Sequence, residues 1–289
     1  MKMNLNNEEL KKILPNNGPA LEEVQKYITK YKNDLIVIKY GGNVFIDRNI
    51  FNNFISDLSI LKQLGLSIVV VHGGGPRIKR ELDKSNIQSK FIRGLRVTDE
   101  KIINIVENVL IDFNIDIVHS LKEKGTEAIS INTKKNNIIE VIPESEELGF
   151  VGKPSKINID IIKNILAKNM IPIISPLGIG KNNQTYNING DTAAGAIAKS
   201  LKSRRLILMT NINGVLDKEK KLIEEITSSE ILKMINDEII TEGMIPKINT
   251  CLDAVNNGVT GVVIVDGRKP HSILFEIFSD KGAGTLIRK

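Results

Sequence analysis

The chain has 289 residues, 41% hydrophobic and 26% charged, enough for one large α/β domain or two joined lobes with a substantial core. A single cysteine, Cys251, excludes an internal disulfide framework. The 40 Lys+Arg against 34 Asp+Glu leave a net charge of +6, which suits anionic ligands, yet basic residues scattered among acids, 4% aromatics and no Trp argue against a nucleic-acid platform.

No apolar run approaches the roughly 18–20 residues that span a bilayer, so no membrane partner is expected. The N-terminus MKMNLNNEELKKIL carries acids and no uninterrupted apolar stretch, unlike a signal peptide. A cytoplasmic setting is expected, or the stroma if the gene is plastid-encoded.

Two polar helical pieces flank Pro15-Asn16-Asn17-Gly18-Pro19 and precede the first strand. Residues 34–39 read as a strand buried on both faces, as in a central parallel sheet. Residues 48–65 read as an amphipathic helix, 67–71 as a second buried strand, and 77–86 as a helix after HGGGP. This is the grammar of a right-handed βαβ sheet. Residues 98–124 read as a helix, with Thr98 and Asp99 as its cap. Short strands at 128–132 and 137–142 lie close enough to suggest a hairpin. A helix at 158–169 and a strand at 170–175 lead to a Gly/Asn-rich turn at 178–183, the expected lobe boundary. Helices at 191–201, 228–236 and 241–257 and strands at 206–210 and 261–266 complete the pattern. The expected fold class is therefore α/β: a three-layer αβα sandwich around a mainly parallel central sheet.

Three glycine clusters follow strands: Gly41-Gly42, Gly73-Gly74-Gly75 and Asn213-Gly214. Ligands of such sheets bind at the carboxyl ends of strands. Glycine there lets backbone amides and a helix N-terminus approach an anion. No GxxxxGK[ST] or GxGxxG is present, so neither common nucleotide loop applies. The HGGG at 72–75 would suit an esterase oxyanion hole, but no GxSxG supplies a nucleophile. Lys39 ends an apolar strand, where burial needs a partner charge. Asp191 stands at a helix start, where an N-cap is the competing role. Lys247 follows a proline near a helix start. Arg96 is suited to forking onto a carboxylate or phosphate.

On IVIKYGGN (36–43), VVVHGGGP (69–76), GLRVTD (94–99), YNINGDTAAGAIA (186–198), TNINGVL (210–216), TEGMIPKI (241–248) and VDGRKPHSILFEIF (265–278), the chain resembles the N-acetylglutamate kinases of the amino-acid kinase family. The resemblance implies ATP-dependent phosphorylation of the γ-carboxylate of N-acetyl-L-glutamate, the second step of arginine synthesis. It implies Lys39 and Lys247 as the cations on the transferring phosphoryl group, with Asp191 holding both. It places acetylglutamate against Gly74, Gly75, Arg96 and Asn187. It places the nucleotide against Gly41, Gly42, Gly73, Thr210, Asn211, Gly214 and Leu216, with Mg2+ carried on the ATP phosphates and no protein metal site. Residues 1–31 would be an oligomerising helical extension, 32–180 the acetylglutamate lobe, and 181–289 the ATP lobe with a regulatory tail. The N-terminal helices and that tail resemble the arginine-inhibited hexameric branch, which implies L-arginine as inhibitor, bound through His271, Glu276, Gly282 and Gly284. A PII-type signalling protein is a further partner that the resemblance allows. The family commonly has Asp at 211, Ala at 190 and an acid at 153, where this chain has Asn211, Gly190 and Lys153. A carbamate, aspartate or glutamate 5-kinase, or a non-catalytic sensor on the same fold, are the competing readings.

Overall fold

The computed structural model describes residues 7–41, 47–240 and 244–289. Helices α1 (Asn7–Ile13) and α2 (Leu21–Lys30) lead into β1 (Leu35–Tyr40), α3 (Arg48–Gln63), β2 (Ser67–His72) and α4 (Gly75–Lys84). A small hairpin, β3 (Phe91–Ile92) and β4 (Leu95–Arg96), precedes the long α5 (Glu100–Glu123) and β5 (Ala128–Ile131). The middle of the chain forms β6 (Ile139–Pro143), β7 (Gly152–Ile157), α6 (Ile159–Ala167), β8 (Ile171–Ile174), β9 (Leu177–Ile179) and β10 (Thr185–Asn187). The remainder is α7 (Gly190–Leu201), β11 (Arg205–Thr210), β12 (Glu225–Thr227), α8 (Ser228–Asn236), α9 (Ile245–Asn256), β13 (Val262–Asp266), α10 (Ser272–Phe278) and β14 (Gly284–Arg288).

The central sheet has eight strands in the order β12-β14-β13-β11-β1-β2-β8-β5. Its pairings are parallel except β13 with β14. Alternation sends Ile36, Ile38 and Tyr40 to one face, where they join Phe54, Phe113 and Phe278 from α3, α5 and α10. Val37, Val69 and Val71 face the other side with Ile162, Ile197 and Val255 from α6, α7 and α9. Both faces are therefore covered, as near-continuous Ile/Val strands require, and the expected three-layer α/β class holds. In the central sheet, strands from before residue 180 meet those from after it along the β1–β11 pairing.

The middle departs from the expected pattern. The strands near 128–132 and 137–142 do not form a hairpin: β5 pairs parallel with β8 in the central sheet, whereas β6 pairs antiparallel with β7 in a second sheet ordered β10-β9-β6-β7. Ala128 and Ile131 are buried, so β5 is held in the core while the tight turn at Asn132–Lys135 redirects the chain. The 178–183 stretch includes part of β9, which turns back through 181–183 to pair with β10. The helix expected from 241 is seen from Ile245, and 241–243 lie outside the described residues. Leu10, Leu14, Val24 and Tyr27 of the N-terminal segment are buried in the same core as Ile277 and Phe278; α2 packs on α10 of its own chain, and α1 packs on α2.

Candidate active site

The carboxyl ends of β1 and β2 open onto a cleft of about 1230 Å³. Its wall brings together Lys39, Gly73, Gly74, Gly75, Arg96, Asn187 and Asp191, residues far apart in sequence. Lys39 is 7% exposed at the end of an apolar strand. Its ammonium lies 2.9 Å from Asp191 Oδ1, and Lys247 donates to Asp191 Oδ2. One carboxylate thus holds two lysines that the chain supplies from β1 and α9.

Asp191 is free for this role because it is not the helix cap. Asn189 Oδ1 accepts from the Asp191 and Thr192 amides at 2.9 and 3.2 Å, so the N-cap of α7 belongs to Asn189. An Asn preceding a small-residue helix is a strong cap candidate, a signal in the sequence that pointed to the neighbour instead. Burial alone would raise the Asp191 pKa, but the two ammonium groups outweigh it and carry the carboxyl far below the ordinary range. Lys39 is pushed below the usual lysine value by burial and by Lys247, with Asp191 opposing. The trio carries two positive charges against one negative, leaving an excess cation beside the cleft.

The glycines are there for close approach. A β-carbon on Gly41 would lie 1.8 Å from Lys39 Nζ, and one on Gly74 would lie 2.4 Å from Leu110. At Gly75 there is open space, consistent with a residue whose amide faces a ligand volume. Gly75 begins α4, with Gly74 as its N-cap, so unpaired first-turn amides point out of the helix start. Among the described residues, neither the Gly74 nor the Gly75 amide donates a hydrogen bond.

Arg96 enters from β4. Its guanidinium donates to Ser89 Oγ and stacks on Phe91, 4.7 Å from the ring centroid. Ser89 and Phe91 also line the cleft; both were missed in the sequence, because their proximity to Arg96 depends on closure of the β3–β4 hairpin. Asp99 caps α5 through the Ile102 amide at 2.8 Å, whereas Thr98 is buried and donates instead to the Arg96 carbonyl at 2.7 Å.

Thr210, Asn211, Gly214 and Leu216 lie on and beyond the carboxyl end of β11, apart from the cleft wall. Thr210 is buried and its carbonyl accepts from Gly267, while Gly214 has φ of 143° against the Thr285 hydroxyl. Gly42 lies outside the described residues. Among the described residues no group of three or more His, Cys, Asp or Glu side chains converges to hold a metal, and no helix is long and apolar enough to cross a membrane.

The C-terminal candidates divide. His271 Nδ1 is 2.6 Å from Asp57 Oδ1, and both line a small gap between α3 and the segment before α10. Glu276 does not line that gap. It accepts from the Ala283 amide at 2.9 Å and faces Gly282, where a β-carbon would lie 2.8 Å from Glu276 Oε2. Gly284 is pressed onto the Ile264 carbonyl, leaving no room for a side chain.

Residues 34–266 match the amino acid kinase family. The chain is 54% identical over 285 residues to the acetylglutamate kinase of Pelagibacter ubique (strain HTCC1062), covering 99% of each. It is 46% identical to that of Clostridioides difficile (strain 630), covering 93% of this chain and 96% of the relative. In fold it is similar to an N-acetylglutamate synthase from Neisseria gonorrhoeae, with a TM-score of 0.84 at 22% identity; the match covers 93% of this chain and 62% of that one.

Proposed function

The chain belongs to the amino acid kinase family, and we propose that its cleft transfers the γ-phosphoryl group of ATP to the γ-carboxylate of N-acetyl-L-glutamate. The observation that carries this reading is the Lys39–Asp191–Lys247 trio, of which Lys39 and Asp191 line a glycine-walled cleft that also holds Arg96. A carboxylate nucleophile has an ordinary pKa of about 4.3 and is ionised at neutral pH, so no general base is required. The obstacle is repulsion between that anion and the ATP phosphates. Lys39 and Lys247 offset it, and Asp191 fixes where their charges sit. One carboxylate oxygen forms a bond to the γ-phosphorus as the bond to the ADP oxygen breaks, and no proton moves.

Arg96 is suited to fork onto the α-carboxylate of acetylglutamate, with Asn187, Gly74 and Gly75 around the rest of that molecule. In this reading residues 32–180 hold the carboxylate substrate. Residues 181–289 hold ATP, with Gly41, Gly42, Gly73, Thr210, Asn211, Gly214 and Leu216 on the nucleotide side. Mg2+ comes with ATP, neutralising its phosphate oxygens and keeping most of its waters.

L-Arginine is the proposed inhibitor. Glu276 supports this: burial, opposed by the Ala283 amide and Arg205, pushes its carboxyl up to about 7, which marks an acid lacking a full cationic partner. Gly282 and Gly284 shape its surroundings, and His271 would contribute from the Asp57 side. Hexamer assembly through residues 1–31, and binding of a PII-type protein, belong to the same proposal. An ATP-consumption assay across N-acetylglutamate, glutamate, aspartate and carbamate tests the substrate. Turnover with acetylglutamate alone is expected; turnover with free glutamate and not its acetylated form overturns it.

A further inference from the structure

Behind the glycine turn lies a polar network that the phosphoryl-transfer chemistry does not use. His72, the last residue of β2, is fully buried. Its Nδ1 is 2.8 Å from the carbonyl oxygen of Gly73. Its Nε2 is 3.1 Å from Asn114 Nδ2 and 3.2 Å from Ser175 Oγ. Asn114, buried on α5, also donates through Nδ2 to the Ile173 carbonyl at 2.9 Å. The ring edge packs on Phe113 at 5.1 Å between centroids.

These contacts favour one tautomer. The Gly73 carbonyl can only accept, so Nδ1 carries the proton. The Asn114 amide cannot be turned over, because its oxygen would then face the Ile173 and Ile131 carbonyls. Asn114 therefore turns Nδ2 toward Nε2 while sharing its hydrogens with the Ile173 carbonyl and Ser175 Oγ, and a neutral ring with its proton on Nδ1 offers Nε2 as an acceptor. A doubly protonated ring would set N–H against N–H. Burial, with Arg77 adding to it, accordingly pulls the imidazole down to about 4 against the Gly73 hydrogen bond, so the ring is neutral at working pH.

The consequence reaches the cleft through one peptide plane. No cis peptide occurs among the described residues, so the Gly73 carbonyl and the Gly74 N–H point in opposite directions. With glycine on both sides, that plane has little steric hindrance to rotation. Holding the carbonyl against the buried ring turns the Gly74 amide outward. If the plane flipped, a carbonyl oxygen would replace a donor beside an anionic substrate.

We propose that His72 is a positioning residue: its Nδ1–H, locked by Asn114 and Ser175, pins the Gly73–Gly74 peptide so that the turn presents N–H to the bound carboxylate and phosphoryl oxygens. The proposal rests on the phosphoryl-transfer reading only for its kinetic arm.

His72→Asn and His72→Gln separate the pin from packing. Both remove the ring from Phe113, but the Asn amide nitrogen occupies the Nδ1 position, whereas that of Gln reaches toward Nε2. With both variants folded, His72→Asn is expected within about threefold of the parent kcat, and His72→Gln at least tenfold lower with a raised KM for acetylglutamate. Equal activities, or losses that follow only the melting temperatures, overturn the pin. Independently of any reaction, ¹⁵N shifts of the imidazole in the full chain should show protonated Nδ1 and bare Nε2 between pH 6 and 8. A proton on Nε2 overturns it even if acetylglutamate is turned over. A chain with the expected tautomer and no acetylglutamate kinase activity instead defeats the functional reading alone.

Discussion

Asp191 and Glu276 are both carboxylates withdrawn from water, and burial pushes both toward the neutral form. Asp191 nevertheless moves far down because two ammonium groups meet it, while burial raises Glu276 to about 7 because, among the described residues, the donor bonded to it is a backbone amide and Arg205 opposes only in part. The same residue chemistry yields a pre-formed charge framework at one end and an acid without a matching cation at the other. The first suits catalysis, where charges must already be in place. The second suits a ligand that arrives bearing its own cation.

Removing the acid at the first site should produce the largest effect. Asp191→Asn leaves two nearly buried lysines facing each other, and loss of a buried partner costs about 3–5 kcal/mol. We expect a melting temperature lower by several degrees and kcat lower by about a thousandfold or more. A variant with parent-like turnover would show that the trio is merely structural. Lys39→Ala and Lys247→Ala should each lower kcat by roughly a hundred- to a thousandfold while the fold persists by circular dichroism. Unchanged turnover in either defeats the mechanism. The Asp191 shift also has a sign: its pKa is depressed in the folded state, so its stabilisation is present above the ordinary carboxylate range and is lost as pH falls below it.

At the second site the sign reverses. Between the ordinary value of 4.5 and about 7, folded Glu276 keeps a proton that the unfolded chain releases, so its contribution to stability falls as pH rises through that window. In the proposed arginine site the ligand's cation pairs with the carboxylate, so the proposed inhibition should weaken up to tenfold per pH unit below about 7. Glu276→Gln should abolish inhibition with kcat retained and the melting temperature unchanged or raised. Inhibition that is flat from pH 6 to 8, measured at constant ATP, would place arginine elsewhere. Deleting residues 1–25 removes the buried Leu10, Leu14 and Val24 from the core cluster that includes Phe278. On the proposed assembly and regulation, it should weaken arginine inhibition and shift hexamers to smaller species in analytical ultracentrifugation; a truncated hexamer with normal arginine sensitivity would refute the assembly role.

The two sites also differ in how far the sequence reveals them. Lys39 stands out because a lone charge in IVIKY has no reason to be buried except a partner, and the central strands are legible from their β-branched runs. Asp191 is half legible: its motif marks the helix start, but only the fold shows that Asn189 takes the cap. The second sheet is nearly invisible, since β7 reads GKPSKI and buries only Gly152 fully. Short edge strands carry too little hydrophobic alternation to set their pairing. The pairing of His271 with Asp57 spans 214 positions, and no local periodicity encodes it.

The smallest expected effect tests how tightly the first site is held. Gly190 begins α7, and a β-carbon there would lie 3.2 Å from Lys39 Cε and 3.8 Å from Gly73 Cα. Alanine favours the helix and restricts the unfolded chain, together worth about 0.4–1 kcal/mol where the backbone is compatible. Against this, Lys39 must yield a few tenths of an ångström while remaining fixed to Asp191. Gly41 supplies room, because a side chain there would begin with a β-carbon 1.8 Å from Lys39 Nζ. The backbone gain should therefore win: Gly190→Ala should raise the melting temperature slightly and keep kcat within about threefold. A tenfold fall in kcat without loss of stability would mean that the lysine cannot shift at all, and that the charge framework is rigid down to its methylenes.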